Sequence, residues 1–228
     1  ANCMIWAEYW GAGGYYFRRT TDAGKTWENV YKDSAWTNWN NDTHKYVPKI
    51  RAIAYPNDKL FIAVGDSGLI VRTTDKGESW ESFRIDSNLS LFNLRMLDEN
   101  YGIVASSEYP DIDSMNILET FDGGKKWIPM NYVFDGLISF WDIDIISRNQ
   151  LAAIVWLRDS LGAKTGQKKL LMVYNNWEYC DTLDMPQLCM QMDFINEKQG
   201  WISGGYYDFD PTPENYTQEI QYTNDGGK

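Results

Sequence analysis

The stretch that decides the fold is Thr73-Thr74-Asp75-Lys76-Gly77-Glu78-Ser79-Trp80, because near-copies of it recur along the chain. The copies cover residues 20–27, 120–127 and 223–228, and the four aspartates are separated by 53, 47 and 103 residues. The longest interval is two periods, which predicts a decayed copy at Tyr174-Asn175-Asn176-Trp177. A unit of about 50 residues therefore repeats along the whole chain and predicts a repeat architecture.

Each unit contains four short β-rich runs. In the clearest unit they cover residues 50–55, 60–64, 69–73 and 80–83, and turn-forming residues close them. Short runs separated by tight turns predict a four-stranded antiparallel meander. No segment shows a sustained helical period, so the chain is predicted to be all-β. We expect one domain, residues 1–228, with repeats one to five at approximately 1–31 (partial), 49–84, 91–131, 139–181 and 188–228 (partial).

Meanders of this size cannot bury a core alone, and they pack radially as the blades of a β-propeller. The recurring motif has a structural role in such a blade. Its Asp accepts hydrogen bonds from backbone N–H groups about two residues on, its Gly supplies the positive φ of a tight turn, and its Trp fills the space between neighbouring sheets. The residues predicted to have these roles are Asp22, Gly24, Trp27, Asp75, Gly77, Trp80, Asp122, Gly124, Trp127, Asp225 and Gly227.

The motif Ser/Thr-x-Asp-x-Gly-x-Thr/Ser-Trp resembles the Asp-box, also called the bacterial neuraminidase (BNR) repeat. Two copies match it throughout, the third departs at Lys126, and the fourth ends before its Trp. Asp-box propellers include sialidases, xyloglucanases, sortilin-type receptors and the photosystem II assembly or stability factors with their bacterial relatives. The resemblance covers nearly the whole chain and implies the fold, but it is not specific for one function.

The photosystem II assembly factor-like proteins are the group whose repeat this chain resembles most. Their repeat tends to contain Gly-Trp-aliphatic-aliphatic-Gly followed by an Asp-box with a double Gly. Here Gly200-Trp201-Ile202-Ser203-Gly204 precedes Thr223-Asn224-Asp225-Gly226-Gly227. The resemblance implies a scaffold that holds a partner protein or ligand. Together with the Trp-, Tyr- and Asn-rich composition, it favours a secreted, periplasmic or cell-surface location.

The length bounds the number of blades. About four and a half units fit in 228 residues, and propellers close with roughly four to eight blades. The last repeat stops inside its motif. We therefore expect a fragment of a six- to eight-bladed propeller that is monomeric at full length.

Charge and composition exclude several functions. The net charge of −11 argues against nucleic acid, which is bound by neutralising phosphates with Lys and Arg. No window approaches 18 apolar residues, so we expect no membrane span. Three cysteines without a C-x-x-C pattern and a lone His44 argue against a metal site, and we expect no cofactor. Cys180 and Cys189 can form a bridge or remain free thiols.

Long loops on one face form the first candidate site. In a meander, the second-to-third and fourth-to-next-first connections share one face, and here they swell at residues 31–49, 106–115, 158–169 and 206–219. We name this the long-loop face; the Asp-box turns lie on the other. Long loops on a rigid scaffold often carry function, although solvated loops without a ligand are the alternative. The aromatic and charged candidates on these loops are Trp36, Trp39, Tyr109, Arg158, Tyr206, Tyr207 and Asp208.

The first strands of the repeats form the second candidate site. Polar residues alternate there with apolar ones, and the alternation places the polar set on one side of each strand. Since first strands line the axis of a propeller, these groups border a central channel. An Arg–Asp network wetted by channel water is the alternative to a binding site. The candidates are Arg51, Arg95, Asp142, Asp144 and Asp193.

Catalysis has little support in the sequence. The arginine triad and Tyr/Glu pair of sialidases find no counterpart, and a lone His44 excludes a Ser-His-Asp set. Asp142 and Asp144 stand two residues apart on one strand, so they cannot flank a glycosidic bond. The predicted function is therefore a non-catalytic binding scaffold for a protein or glycan. A carbohydrate-active propeller is the alternative, and a structural repeat of a large cell-surface protein is the third possibility.

Overall fold

Antiparallel β-strands make up nearly all of the described structure. The computed structural model describes residues 4–10, 14–32, 49–108, 115–130, 138–158, 164–174, 179–184, 189–205 and 218–226. The chain divides into unit one, Ala1–Tyr109 with Thr120–Trp127, and unit two, Pro110–Glu119 with Ile128–Lys228. The boundary falls within repeat three, so the strands of that repeat are described with the unit that holds them. The all-β prediction is confirmed.

Unit one holds nine strands that follow the predicted meander order. They are β1 (Met4–Trp10), β2 (Gly14–Thr20), β3 (Glu28–Lys32), β4 (Ile50–Ala54), β5 (Phe61–Gly65), β6 (Leu69–Thr73), β7 (Glu81–Arg84), β8 (Leu89–Met96) and β9 (Gly102–Glu108). The sheet orders are β1-β2-β3 and β4-β5-β6-β7, and β8 pairs antiparallel with β9. A 3₁₀ turn, Asp66–Gly68, joins β5 to β6.

Unit two holds the remaining strands in the same antiparallel arrangement. They are β10 (Met115–Thr120), β11 (Ile128–Pro129), β12 (Ile138–Ser147), β13 (Gln150–Arg158), β14 (Lys164–Tyr174), β15 (Tyr179–Asp184), β16 (Cys189–Phe194), β17 (Gly200–Gly205) and β18 (Gln218–Thr223). The sheet orders are β12-β13-β14-β15 and β16-β17-β18, and β10 pairs with β11. Among the described residues, no helix has the length and apolar character needed to cross a membrane.

The central strands of the β4-β5-β6-β7 sheet are buried. Every residue of β5 and β6 is buried, whereas the outer strand β7 is mostly exposed. Trp80 joins the first two sheets of unit one: its ring stacks on Phe17 of β2 at a centroid distance of 5.0 Å and lies 5.2 Å from Tyr31 of β3. In unit two, Met172 of β14 packs with Met192 and Phe194 of β16 in one apolar cluster.

Repeat four differs from the sequence prediction in its strand bounds. The connection expected at residues 158–169 is shorter, because β14 begins at Lys164 and pairs with β13 as far as Arg158. Its fourth strand is Tyr179–Asp184 and not the expected 177–180. The sequence did not predict that β14 begins this early, because polar residues such as Lys168 and Lys169 are typical of a loop. Their backbone groups nevertheless pair with those of Trp156 and Val155.

Candidate functional site

Each Asp-box is a closed hydrogen-bonded turn. In repeat two, Asp75 Oδ1 accepts from the backbone N–H of Ser79 at 2.9 Å, and Oδ2 accepts from the Ser79 hydroxyl at 2.5 Å. The Thr73 hydroxyl donates to Asp75 at 2.7 Å and accepts from the Gly77 amide at 2.9 Å. The Ser79 hydroxyl, the Ser79 amide and the Thr73 hydroxyl lower the pKa of Asp75 to about 2. The carboxylate is therefore engaged on both oxygens by its own turn.

The same geometry recurs in the other boxes, with one feature that the sequence did not reveal. Asp22 accepts from the amide and hydroxyl of Thr26, and Asp122 accepts from the Lys126 amide at 2.9 Å. The glycines take the expected positive φ, but Ala23 and Lys76 before them do so too, at 60° and 64°. The box tryptophans Trp27, Trp80 and Trp127 donate from Nε1 to the carbonyls of Gly24, Gly77 and Gly124 at 3.0–3.1 Å. Gly227 lies outside the described residues.

An arginine before the box reaches forward to the next box. Arg72 Nε donates to the Gly123 carbonyl at 3.1 Å, and Arg19 Nη1 donates to the Lys76 carbonyl at 2.8 Å. The Arg72 guanidinium is buried and also pairs with Glu81 at 2.6 Å. We name this contact the guanidinium clamp. Sequence reasoning missed it, although Arg-Thr precedes the Asp-box turn in both repeats.

Arg51 belongs to a hydrogen-bonded cluster around a buried carboxylate. Asp66 accepts from Arg51 Nε at 2.7 Å, from the Lys49 amide at 3.1 Å and from the Ser90 hydroxyl at 3.0 Å. The Asp66 side chain is 3% exposed, whereas that of Arg51 is 45% exposed. Because Asp66 begins the β5–β6 connection, the cluster lies at the long-loop end of repeat two. It holds a cation in a fixed orientation at the surface.

Asp142 and Asp144 contact backbone amides of the neighbouring repeat. Both are buried in β12; Asp142 Oδ2 accepts from the Met192 N–H at 2.9 Å, and Asp144 Oδ2 accepts from the Phe194 N–H at 2.7 Å. The alternation of polar and apolar residues predicted that one side of β12 faces water. In the structure, the polar residues Asp142 and Asp144 instead bind the edge of β16. The buried carboxylates thereby satisfy backbone donors that an open strand edge would otherwise leave unpaired.

The other predicted residues are placed as follows. Arg95 is half-buried in β8, just after a bulge at which Asn93 has a φ of 52°, and its Nη1 donates to the Leu94 carbonyl at 3.3 Å. Asp193 is exposed on β16, and Arg158 ends β13 opposite Lys164. The loop candidates Trp36, Trp39, Tyr109, Tyr206, Tyr207 and Asp208 lie outside the described residues, so they stay predictions.

Unit two contains a polar cavity of about 420 Å³ on the side of the Asp-box turns. Turn residues of repeat four, Ser147, Asn149 and Gln150, line one wall together with Tyr174 at the end of β14. Residues of repeat five line the other wall, and they are Glu197, Lys198, Asp225 and Gly226. The described residues contain no cluster of three or more His, Cys, Asp or Glu side chains that could hold a metal ion.

The strand topology and the box turns together define an Asp-box type β-propeller. Two solved structures share the fold with about equal similarity: YCF48 from Cyanidioschyzon merolae, with 15% identity and a TM-score of 0.56, and the Niastella koreensis GH74 enzyme, with 11% identity and a TM-score of 0.57. They match 94% and 96% of this chain, which spans 62% and 34% of their lengths. A Bacteroides caccae protein of unknown function has a TM-score of 0.52 at 10% identity, over 98% of this chain and 73% of its own.

These similarities confirm the predicted β-propeller and its likeness in fold to YCF48. At such low identity they show the fold alone. No protein-family model matches the chain. No curated protein matches its sequence either.

Proposed function

We propose that the protein is a non-catalytic binding scaffold that contacts a partner protein through the long-loop face. The observation that carries this proposal is the Arg51 guanidinium, which Asp66 holds at the surface with nearly half of its side chain exposed. One fold neighbour is YCF48 from Cyanidioschyzon merolae, and another is the Niastella koreensis GH74 enzyme. The fold is therefore compatible with both kinds of function, and the geometry of the described residues favours the first.

The Arg51 cluster is built to present a cation without rearrangement. Asp66 is bound by a guanidinium, an amide and a hydroxyl from three points of the chain, so its position is fixed by Lys49, Arg51 and Ser90. The Arg51 guanidinium already binds both oxygens of Asp66, through Nε at 2.7 Å and Nη2 at 3.3 Å, and this pair fixes its plane. A guanidinium has five N–H donors, so a partner carboxylate can share its exposed part. In a chain with a net charge of −11, such a fixed cation favours an acidic side chain or a C-terminal carboxylate of a partner.

A peptide array with free C-terminal carboxylates tests this proposal. We expect the protein to bind a subset of acidic peptides and Arg51→Ala to weaken that binding by about tenfold, the effect of losing one charged hydrogen-bonded pair. Lys125→Ala is the matched control, since Lys125 is an exposed cation in the Asp-box of repeat three. Equal binding by Arg51→Ala and the control contradicts the proposal.

A carbohydrate-active propeller is the second candidate, favoured by the GH74 fold neighbour. The described carboxylates of the first strands do not support it. Asp142 and Asp144 are buried and already accept backbone amides, whereas glycoside hydrolysis needs two carboxyl groups that flank the bond. A glycan array and a panel of chromogenic glycosides separate the candidates, because turnover or glycan binding lost in an Arg95→Ala/Asp142→Ala variant favours the carbohydrate-active protein.

The proposal extends to location and assembly. A secreted, periplasmic or cell-surface scaffold that is monomeric at full length is expected to elute at its monomer mass and to fractionate outside the cytoplasm. Light scattering on the purified protein and cell fractionation check the two expectations. If the full-length polypeptide also carries a cell-wall sorting or adhesion domain, that domain favours the third possibility, a structural repeat of a larger surface protein.

A further inference from the structure

The cavity of unit two differs from the corresponding region of unit one at the position before the box threonine. The residue before the box threonine is Arg19 in repeat one and Arg72 in repeat two, but Met172 takes this position in repeat four. The registers agree: Arg72 pairs with Ile62 and Glu81, and Met172 pairs with Ala152 and Asp181. Repeat four therefore lacks the arginine of the guanidinium clamp but keeps an acidic residue at the register position of its partner.

The acceptor side of the clamp is preserved in repeat five. Gly226 corresponds to Gly123, because their amides donate at 2.9 Å to equivalent turn carbonyls, those of Lys198 and Asn100. Both glycines have a positive φ, 83° and 71°. In repeat three the Gly123 carbonyl receives Arg72 Nε, whereas Gly226 lines the cavity. The cavity thus lies where a guanidinium is bound in unit one.

The cavity lining has the chemistry of a cation site. Glu197 contributes a carboxylate, and Lys198 contributes one ammonium group. The Asp-box carboxylate of Asp225 adds negative charge to the wall while it accepts from the Thr223 hydroxyl of its own turn at 2.8 Å. Gln150 is 7% exposed and makes no side-chain hydrogen bond among the described residues, so its amide oxygen is an available acceptor inside the fold. Tyr174 adds an aromatic ring, whose face attracts a cation. The turn of repeat four, residues 147–150, is shorter than that of repeat two, residues 55–60, and it lines the cavity.

We propose that this cavity binds the side chain of an arginine presented by a partner peptide, in place of the clamp arginine that repeat four lacks. The volume of about 420 Å³ admits a guanidinium with its aliphatic stem. A guanidinium suits the site better than an ammonium group, because it donates in several directions at once to carboxylate, amide and carbonyl oxygens. All of its lining residues belong to unit two, whereas Arg51 belongs to unit one, so the site can be tested separately from the function proposed above.

Titration calorimetry with Nα-acetyl-arginine-methylamide, and with its lysine counterpart, tests the proposal. We expect saturable binding of the arginine compound and several-fold weaker binding of the lysine compound, which makes fewer simultaneous hydrogen bonds. Met172→Arg supplies an internal guanidinium and is expected to reduce the affinity by at least about tenfold. Met172→Leu is the matched control and should leave the affinity unchanged, because it conserves volume and polarity.

Glu197→Gln is the second variant, for the case that Met172→Arg does not fold. We expect it to fold, because Glu197 is exposed and glutamine has the same shape. It should weaken arginine binding by roughly three- to tenfold, the loss of one charged hydrogen bond at a partly hydrated site. Unchanged affinity in Glu197→Gln overturns the proposal. So does equal affinity for the lysine compound, or an absence of saturation at about 10 mM. None of these readouts involves Arg51 or the peptides used for the long-loop face.

Discussion

Asp75 and Ser79 show how much of an Asp-box is decided by single side chains. One carboxylate closes the turn by accepting an amide and a hydroxyl from the same residue four positions on. This geometry is local, so the spacing of Asp, Gly and Ser or Thr in the sequence was enough to predict a turn. The donor position was predicted less well, because capping two residues on was expected and the structure uses the fourth residue.

The low pKa of Asp75, about 2, makes stability depend on pH. A carboxyl group whose pKa is depressed by folding contributes stability that is complete above its unfolded pKa of about 3.9 and is lost as the pH falls through its folded pKa. We expect Asp75→Asn to lower the free energy of unfolding at neutral pH and to flatten its decline below about pH 4. Urea denaturation at several pH values measures both. An unchanged pH profile, with Asp193→Asn as the exposed control, contradicts this role.

Arg72 supports a second prediction, about the guanidinium clamp. Arg72→Met copies the residue of repeat four and removes the donors to the Gly123 carbonyl and to Glu81. We expect a loss of about 1–3 kcal/mol, because a buried carbonyl is left without its partner. Arg84→Met is the matched control, since the Arg84 guanidinium donates to the Ser67 carbonyl on an exposed strand, and it should cost less than about 1 kcal/mol. Equal losses in the two variants would show that burial of the clamp is unimportant.

At the scale of strands, β12 and β16 form a contact that the sequence pattern could not predict. Alternation in β12 was correctly recognised as a polar set at Asp142 and Asp144, but a central channel was expected beside it. The observed acceptors lie 50 residues from their donors, and period-two patterns carry no information about a partner that far along the chain. A buried aspartate that covers a strand edge and one that lines a channel have the same sequence pattern.

Asp144→Ala tests the role of this edge contact. The substitution leaves the Phe194 amide without its acceptor inside the fold and should destabilise the protein by about 1–3 kcal/mol. Asp193→Ala is the matched control, because Asp193 occupies the aligned position of the next first strand but is exposed; it should stay within about 0.5 kcal/mol. Hydrogen exchange of the Phe194 amide should accelerate in the first variant only. Protection that persists in Asp144→Ala would assign that amide to another acceptor.

For the molecule as a whole, the repeat period predicted the fold class, the strand order and the positions of the boxes. It did not predict the cavity, because the cavity follows from differences between repeats: Met172 in place of arginine, Ala152 in place of Ile62 and a shorter turn. A repeat argument emphasises what the copies share. The guanidinium clamp was detectable as Arg-Thr before two boxes, but its meaning required the three-dimensional contact.

Strand β18 carries two exposed apolar side chains. Ile220 and Tyr222 on this strand are 76% and 50% exposed, and Trp201 lies beside Tyr222 at 5.1 Å between ring centroids. Exposed apolar side chains promote association between molecules. We expect Ile220→Lys to lower concentration-dependent light scattering, whereas the same change at Ile195, an exposed turn residue, should not. Similar scattering from both variants would locate the association elsewhere.

The guanidinium clamp also sets the order in which the repeats can be completed during translation. Arg19 finds its acceptor 57 residues later in the chain, and Arg72 finds its own 51 residues later. On a ribosome that adds about 5–20 residues per second, Arg19 waits roughly 3–11 s before that acceptor has been translated. Each early repeat is therefore completed only by its successor, and the nascent chain matures in overlapping pairs from its beginning. Repeat four has Met172 in place of the clamp arginine, and Asp142 and Asp144 make its hydrogen bonds to the repeat that follows.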